Sequence, residues 1–283
     1  MKKILITGKN SYVGRSLEKW LGNYPDSYSI DSISLRNDSW KEKDFSEYDV
    51  VFHVAGIAHI RETKENAHLY YKVNRDLAIE VAQKAKNESV EQFIFLSSMS
   101  VYGIETGVID KESPLKPKSN YGKSKLEAEK LITNLEDNFF KVAILRPPMI
   151  YGKGCKGNYT KLAKLALKTP VFPEIDNKRS MIYIDNLSEF VKCVVDNCGS
   201  GLFFPQNNDY VNTSRMVELI AKAHGKRILL TGLFNPLLFL IKRNETVSKV
   251  FGNLTYEENL SKNSNAQFNS FVDFEESIRL TED

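Results

Sequence analysis

The chain opens with a regular exchange between short, wholly apolar runs and longer amphipathic ones. "KKILIT" gives way to "VGRSLEKWLGNY", "SISLR" to a polar turn, and "DVVFHVAG" to "YYKVNRDLAIEVAQKAK"; "QFIFLSS" follows, and "SKLEAEKLITNL" precedes "FKVAILRPP". Runs that are apolar throughout predict strands buried on both faces, and the segments between them carry the helical period of a covering layer. Strands and helices in alternation build a parallel sheet from right-handed βαβ units. The predicted fold class is therefore α/β, a doubly wound parallel sheet of Rossmann type over residues 1–150, completed by a strand and helix from within 181–198.

After Pro147 the pattern loosens. "YGKGCKGNY", "TPVFPEIDNKRS" and "FPQNNDYVNTS" read as loops, while "YTKLAKLALK", "DNLSEFVKCVVD" and "SRMVELIAKAHG" read as helices. Residues 151–180 and 199–283 are expected to form a smaller, substrate-binding lobe. The most apolar stretch, "ILLTGLFNPLLFLIK" (Ile228–Lys242), is too short to span a bilayer and is interrupted by Gly232, Asn235 and Pro236. It is read as a packed helix or an internal interface, and no transmembrane segment is expected.

Composition narrows the partners. Acids and bases nearly balance at a formal net charge of +3, without the run of like charge that tracks a phosphate backbone, so nucleic acid is not an expected partner. Cys155, Cys193 and Cys198 form no C-x-x-C pair, and an odd number fits buried thiols in a reducing cytoplasm better than a disulfide framework. His53, His68 and His224 lack ligand-like spacing, and no metal site is expected. His59, in the loop "AGIAHIR", lies within possible reach of a ligand.

Three places carry candidate chemistry. The first turn, "ITGKNSYVG", runs a strand into Gly8 and opens a helix at Gly14, the geometry that sets backbone N–H groups and a helix N-terminus against a pyrophosphate. Ser11 stands where a middle glycine is often found. At the end of the second strand, Arg36 favours a 2′-phosphate and hence NADP over NAD, and Asp44 is placed to meet an adenine amino group. In "FIFLSSMSVYG" the strand ends in Ser97 and Ser98, either of which can face a ligand at the carboxyl edge of the sheet. In "NYGKSK", Tyr121 and Lys125 are four residues apart, so a helix starting near Tyr121 stacks the ammonium over the phenol. A fixed positive charge there lowers the phenol pKa toward neutrality, as a working acid/base requires.

Taken in order, "TGKNSYVG", "HVAG", "VN" (Val73–Asn74), "SSMSVYG", "YGKSK" and "LRPPMIYG" resemble the extended short-chain dehydrogenase/reductases, the NAD(P)-dependent nucleotide-sugar epimerase/dehydratase group. "GCKGNYTKL" and "NKRSMIYIDNL" resemble its bacterial UDP-sugar 4-epimerases and 4-keto-reductases of surface-polysaccharide synthesis. The resemblance implies Tyr121 as acid/base, Lys125 as the residue that binds the nicotinamide ribose and depresses the tyrosine pKa, and Ser98 as the hydroxyl on the substrate oxygen. It implies a cofactor site of Gly8, Asn10, Ser11, Tyr12, Val13, Gly14, Arg36, Asp44, Phe45, Val54, Ala55, Gly56, Asn74, Ser97, Pro147 and Pro148, besides Tyr121 and Lys125. For the substrate it implies His59, Met99, Ser100, Met149, Asn158 and Arg179, the last two on the diphosphate, where a planar guanidinium is apt.

Departures matter too. Met99 and Ser100 replace the Asp-Glu pair of the dehydratases, which removes the catalysts for eliminating water, and Met149 replaces an epimerase asparagine. The expected activity is C4 chemistry on a UDP-sugar: a 4-keto-sugar reductase first, a UDP-sugar 4-epimerase as the alternative, and a non-catalytic NAD(P)-binding regulator as a third reading. A homodimer paired along "KSKLEAEKLITNL" is also expected from the resemblance.

Overall fold

The computed structural model describes residues 1–58, 60–236, 245–262 and 272–283. Its centre is a six-stranded sheet in the order β10-β6-β4-β3-β1-β2, parallel throughout. The strands are β1 (Lys2–Thr7), β2 (Tyr28–Ile33), β3 (Val50–His53), β4 (Gln92–Leu96), β6 (Lys141–Leu145) and β10 (Gly201–Phe203). Alternation along β1 shows why the run is apolar throughout: Ile4 and Ile6 enter one core cluster and Leu5 the other. The first cluster lies under α1 (Tyr12–Leu21) and α6 (Ile184–Asp196). The second lies under α3 (Leu77–Asn87) and α4 (Asn120–Thr133). Burial on both faces makes the Rossmann-type α/β fold a direct consequence of the pattern.

Two boundaries differ from the sequence reading. The second strand covers Tyr28–Ile33 rather than "SISLR", because Tyr28 and Ile30 pair with β1 and pack inward while Ser34 onward leaves the ladder. The sixth strand of the sheet is Gly201–Phe203; the strand inside 181–198, β9 (Met181–Tyr183), instead pairs with β7 (Met149–Tyr151).

The helix preceding β4 contains an irregularity. Between α2 (Ala67–Tyr71) and α3, residues Lys72–Asp76 form a π-turn, which widens the helix at the buried Asn74. Single π-turns cost backbone regularity and often serve a site.

Beyond the sheet, the described residues hold two further short parallel pairs. They are β5 (Gly107–Ile109) with β12 (Leu254–Tyr256) and β8 (Val171–Pro173) with β11 (Leu229–Thr231). The apolar stretch from Ile228 thus begins as a strand and a 3₁₀ turn rather than a packed helix, with Leu229 64% and Leu233 80% exposed. Its remainder, 237–242, lies outside the described residues. No helix among them is long and apolar enough to cross a membrane.

Candidate active site

At the carboxyl edge of the sheet, where the strand order reverses between β1 and β3, the loops after β1, β2 and β3 enclose a cleft of about 900 Å³. Gly8, Asn10 and Ser11 line it from the first loop, Ser34 to Asn37 from the second, and Val54 to Ile57 from the third. Gly8 has φ +111°, and a Cβ there would lie 3.0 Å from the backbone nitrogen of Ala55, so the first and third loops approach only over a glycine. Ser11 has an ordinary φ of −71° and caps α1, its Oγ accepting from Gly14 N–H at 2.9 Å. Serine therefore replaces the middle glycine without backbone cost. The first-turn N–H groups of Tyr12 and Val13 remain without an intrahelical acceptor, which suits a pyrophosphate at this N-terminus.

Behind the third loop of this cleft sits Lys125. A Cβ built on Gly56 would lie 3.5 Å from Lys125 Nζ and 3.1 Å from Asn74 Oδ1, so both buried polar groups sit directly behind the cleft-lining Gly56. Asn74 is itself held by the third loop: its Oδ1 accepts from Ile57 N–H at 2.8 Å and its Nδ2 donates to Ile57 O at 3.1 Å and to Ser124 Oγ at 3.2 Å. The π-turn thus lets a helix side chain clasp the cleft wall.

Helix α4 begins where the sequence reading places it. Ser119 caps it through Gly122 N–H, and Tyr121 and Lys125 follow on one face. Gly122 is required by packing, since a Cβ would lie 2.7 Å from the Ser100 carbonyl oxygen. Ser98, the second residue past β4, faces the Tyr121 phenol and favours its ionised form. Ser97 points the other way and donates to Glu129, so of the two serines only Ser98 reaches the site, and Ser97 does not serve the cofactor through its side chain.

The electrostatics contradict one expectation. Burial pushes the Tyr121 pKa up, and Ser98 only partly offsets this. Lys125 does not hold it down: its amine is buried, donates to Leu96 O at 2.7 Å, sits over the Phe95 ring, and is itself pushed down to about 7 by desolvation, with Glu129 acting against the shift. The ammonium is aimed at the sheet edge, not at the phenol.

Other expected residues divide. Arg36 lines the cleft from a position three residues beyond the end of β2. Asp44 and Phe45 do not line it: Asp44 closes a local turn on Ser46, which lowers its pKa, and Phe45 is fully buried against Trp40. Tyr12 and Val13 contribute backbone only, because their side chains pack on the core and the Tyr12 hydroxyl is buried beside Gly152. Met99 likewise packs into a third core cluster, away from a substrate. Its N–H donates to Pro147 O at 2.9 Å, joining the loop that carries Ser98 to the buried Pro147 and Pro148.

Farther out, Ser100 Oγ is buried without a hydrogen-bond partner, Met149 is half-buried, and Asn158 is exposed at the start of α5 (Asn158–Lys168). The half-buried Arg179 donates to the carbonyl oxygens of Gly252 at 2.8 Å and Ser248 at 3.4 Å, and desolvation lowers its pKa. His59 lies outside the described residues. Sequence reading missed Gly122, Ser124 and Glu129, although two small residues inside "YGKSK" signal a close approach by α4.

The family profile described as "NAD dependent epimerase/dehydratase family" matches residues 4–202. The chain belongs to this family. A UDP-glucose 4-epimerase of Vibrio cholerae is 31% identical over 251 residues, which is 80% of this chain and 76% of that protein. Among solved structures, UDP-glucuronic acid 4-epimerase from Bacillus cereus in complex with NAD superposes with a TM-score of 0.74 at 19% identity, covering 99% of this chain and 97% of that one. RMD from Pseudomonas aeruginosa complexed with NADPH gives 0.76 at 15% identity, covering 99% and 98%. At such identities these neighbours establish the fold. Membership makes the chain an NAD(P)-dependent enzyme of the extended short-chain dehydrogenase/reductase type.

Proposed function

We propose that this protein is a UDP-sugar 4-epimerase. The observation that carries the proposal is the meeting of the Ser98 hydroxyl and the Tyr121 phenol, with Lys125 one turn further along the same helix and its amine behind the cleft-lining Gly56. Two hydroxyl groups on one point suit an oxygen that alternates between alcohol and ketone. NAD(P), when bound, accepts and returns hydride at the sugar carbon. Tyr121, in the ionised form that Ser98 favours, takes the proton from the C4 hydroxyl as the ketone forms and gives it back as the alcohol re-forms, while Ser98 holds the same oxygen. Gly8, Ser11 and the start of α1 hold the pyrophosphate; Lys125 and Asn74 flank the nicotinamide ribose. Arg179 and Asn158 are assigned to the nucleotide diphosphate.

The epimerase reading takes precedence over the reductase expected from the sequence because the Vibrio cholerae relative, matched over most of both chains, bears that name. Reduction is the second reading, favoured by Arg36 at the cleft, where a guanidinium suits the 2′-phosphate of NADP; Asp38 lines the cleft from the same loop. We place the enzyme in the cytoplasm, on the strength of three free cysteines and a nucleotide-sugar substrate, as a dimer paired along α4.

The assay is the reduced-nicotinamide absorbance with product analysis. UDP-glucose converted to its C4 epimer without net change in absorbance supports the proposal. Net loss of NADPH with a UDP-4-keto sugar, and no inversion of UDP-glucose, replaces it by the reductase.

A further inference from the structure

Glu129 lies one turn beyond Lys125 on α4, and each side chain is only 4% exposed. Its carboxylate is fully engaged. Ser97 Oγ donates to Oε1, Arg146 Nη2 donates to Oε2 at 2.6 Å, and Arg146 Nε reaches both oxygens at 3.1 and 3.2 Å. Arg146 Nη1 donates to Tyr102 Oη at 2.9 Å, and the Arg146 carbonyl accepts from Tyr256 Oη at 2.8 Å.

Both partners neighbour a residue of the site: Ser97 precedes Ser98, and Arg146 precedes Pro147. One carboxylate therefore ties the ends of β4 and β6 to the helix that carries Tyr121 and Lys125. Replacing a buried ion pair by apolar side chains is often neutral or stabilising, so stability alone is a weak reason for this one.

The charge has a second consequence. The titratable groups facing Lys125 are Glu129 and Tyr121 from α4 and His53 from β3, which burial keeps neutral; Arg146, just past β6, pairs with Glu129 and offsets part of its charge. Of these, Glu129 is the one that opposes the desolvation of the ammonium.

We propose that Glu129 is a positioning residue of the hydride-transfer site: one turn from Lys125 and bonded to Ser97 and Arg146, it holds the strand end that presents Ser98 against the helix that carries Tyr121 and Lys125. The inference rests on the assignment of Lys125 to the cofactor.

The test is the pH dependence of NADH affinity, read by nicotinamide fluorescence on the full chain. NADH is the probe because it lacks a 2′-phosphate, a group that would titrate near pH ~6. Wild-type affinity is expected to fall as the pH rises through the titration of Lys125. In Glu129→Gln the fall moves at least half a pH unit lower; in Ser97→Ala, which keeps the charge, the fall stays in place while turnover of UDP-glucose drops at least fivefold. Should Glu129→Gln not fold, Glu129→Gln with Arg146→Gln removes both buried charges together, and a smaller move in the same downward direction is expected. A wild-type fall that the Glu129 variants leave unmoved overturns the role of Glu129 alone. Wild-type affinity without any alkaline fall overturns the assignment of Lys125 beneath it.

Discussion

Lys125 Nζ is bound to the carbonyl oxygen of Leu96, 2.7 Å away, rather than to the phenol of Tyr121 one turn earlier on the same helix. That single contact joins the acid/base helix to the strand whose end presents Ser98. It also explains why the amine is buried at a cost: desolvation brings it down to about 7, so part of the population is neutral at neutral pH.

Removing that amine should separate function from stability. Lys125→Met keeps the length of the side chain and deletes a costly buried cation, leaving one strand-end carbonyl without this donor. Turnover of UDP-glucose is expected to fall by about 10²-fold or more, while urea unfolding changes by no more than ~1 kcal/mol in either direction. Parallel activity and unfolding measurements on the variant check it.

Acid should unfold the protein through His53. The ring is fully buried, its Nδ1 paired with Thr7 Oγ1 at 2.9 Å, and burial holds its pKa down to about 3. The unfolded chain takes up the proton at about pH 6.5, so stability from this group is complete above that value. It is lost as pH falls toward 3, at about 1.4 kcal/mol per unit. His53→Asn should be less stable at pH 7 yet show a shallower slope between pH 6.5 and 4.5 in denaturant titrations.

Two glycines are expected to be sensitive for different reasons. In Gly122→Ala the new methyl meets the Ser100 carbonyl oxygen at 2.7 Å and Pro117 Cβ at 3.0 Å, both at the start of the acid/base helix. A loss of about 1–3 kcal/mol, with lowered turnover, is expected from urea unfolding and rate measurements. In Gly8→Ala the residue must hold φ +111° with its methyl 3.0 Å from Ala55 N, so affinity for NADH should fall at least tenfold by fluorescence titration.

Cofactor choice is checked at Arg36. Because this side chain lines the cleft beyond β2, Arg36→Ala should weaken NADPH binding about tenfold and leave NADH within about twofold, measured by the same titration.

Much of this arrangement was legible in the sequence because it depends on local rules. Burial of "KKILIT" on both faces, the strand-to-helix turn at Gly8, and the four-residue spacing of Tyr121 and Lys125 follow from local sequence and backbone geometry. The direction of the Lys125 amine does not, since it is set by a carbonyl 29 positions earlier in the chain and by the removal of water. The same limit applies to Glu129, whose partners Ser97 and Arg146 come from two other strands, and to Phe45, which reads as a loop residue until the core it enters is assembled. At the second strand, "YSIDSISLR" alternates too weakly to fix an end, and only its pairing with β1 settles where Arg36 lies.

The central claim is that the Tyr121 phenol carries the proton of the sugar C4 oxygen. Its most direct test is Tyr121→Phe, which removes one oxygen from a packed side chain, assayed with UDP-glucose and titrated with NADH. The account predicts that turnover falls by about 10²–10⁴-fold while NADH affinity stays within about threefold of wild type. Turnover within tenfold of wild type in that variant would contradict it.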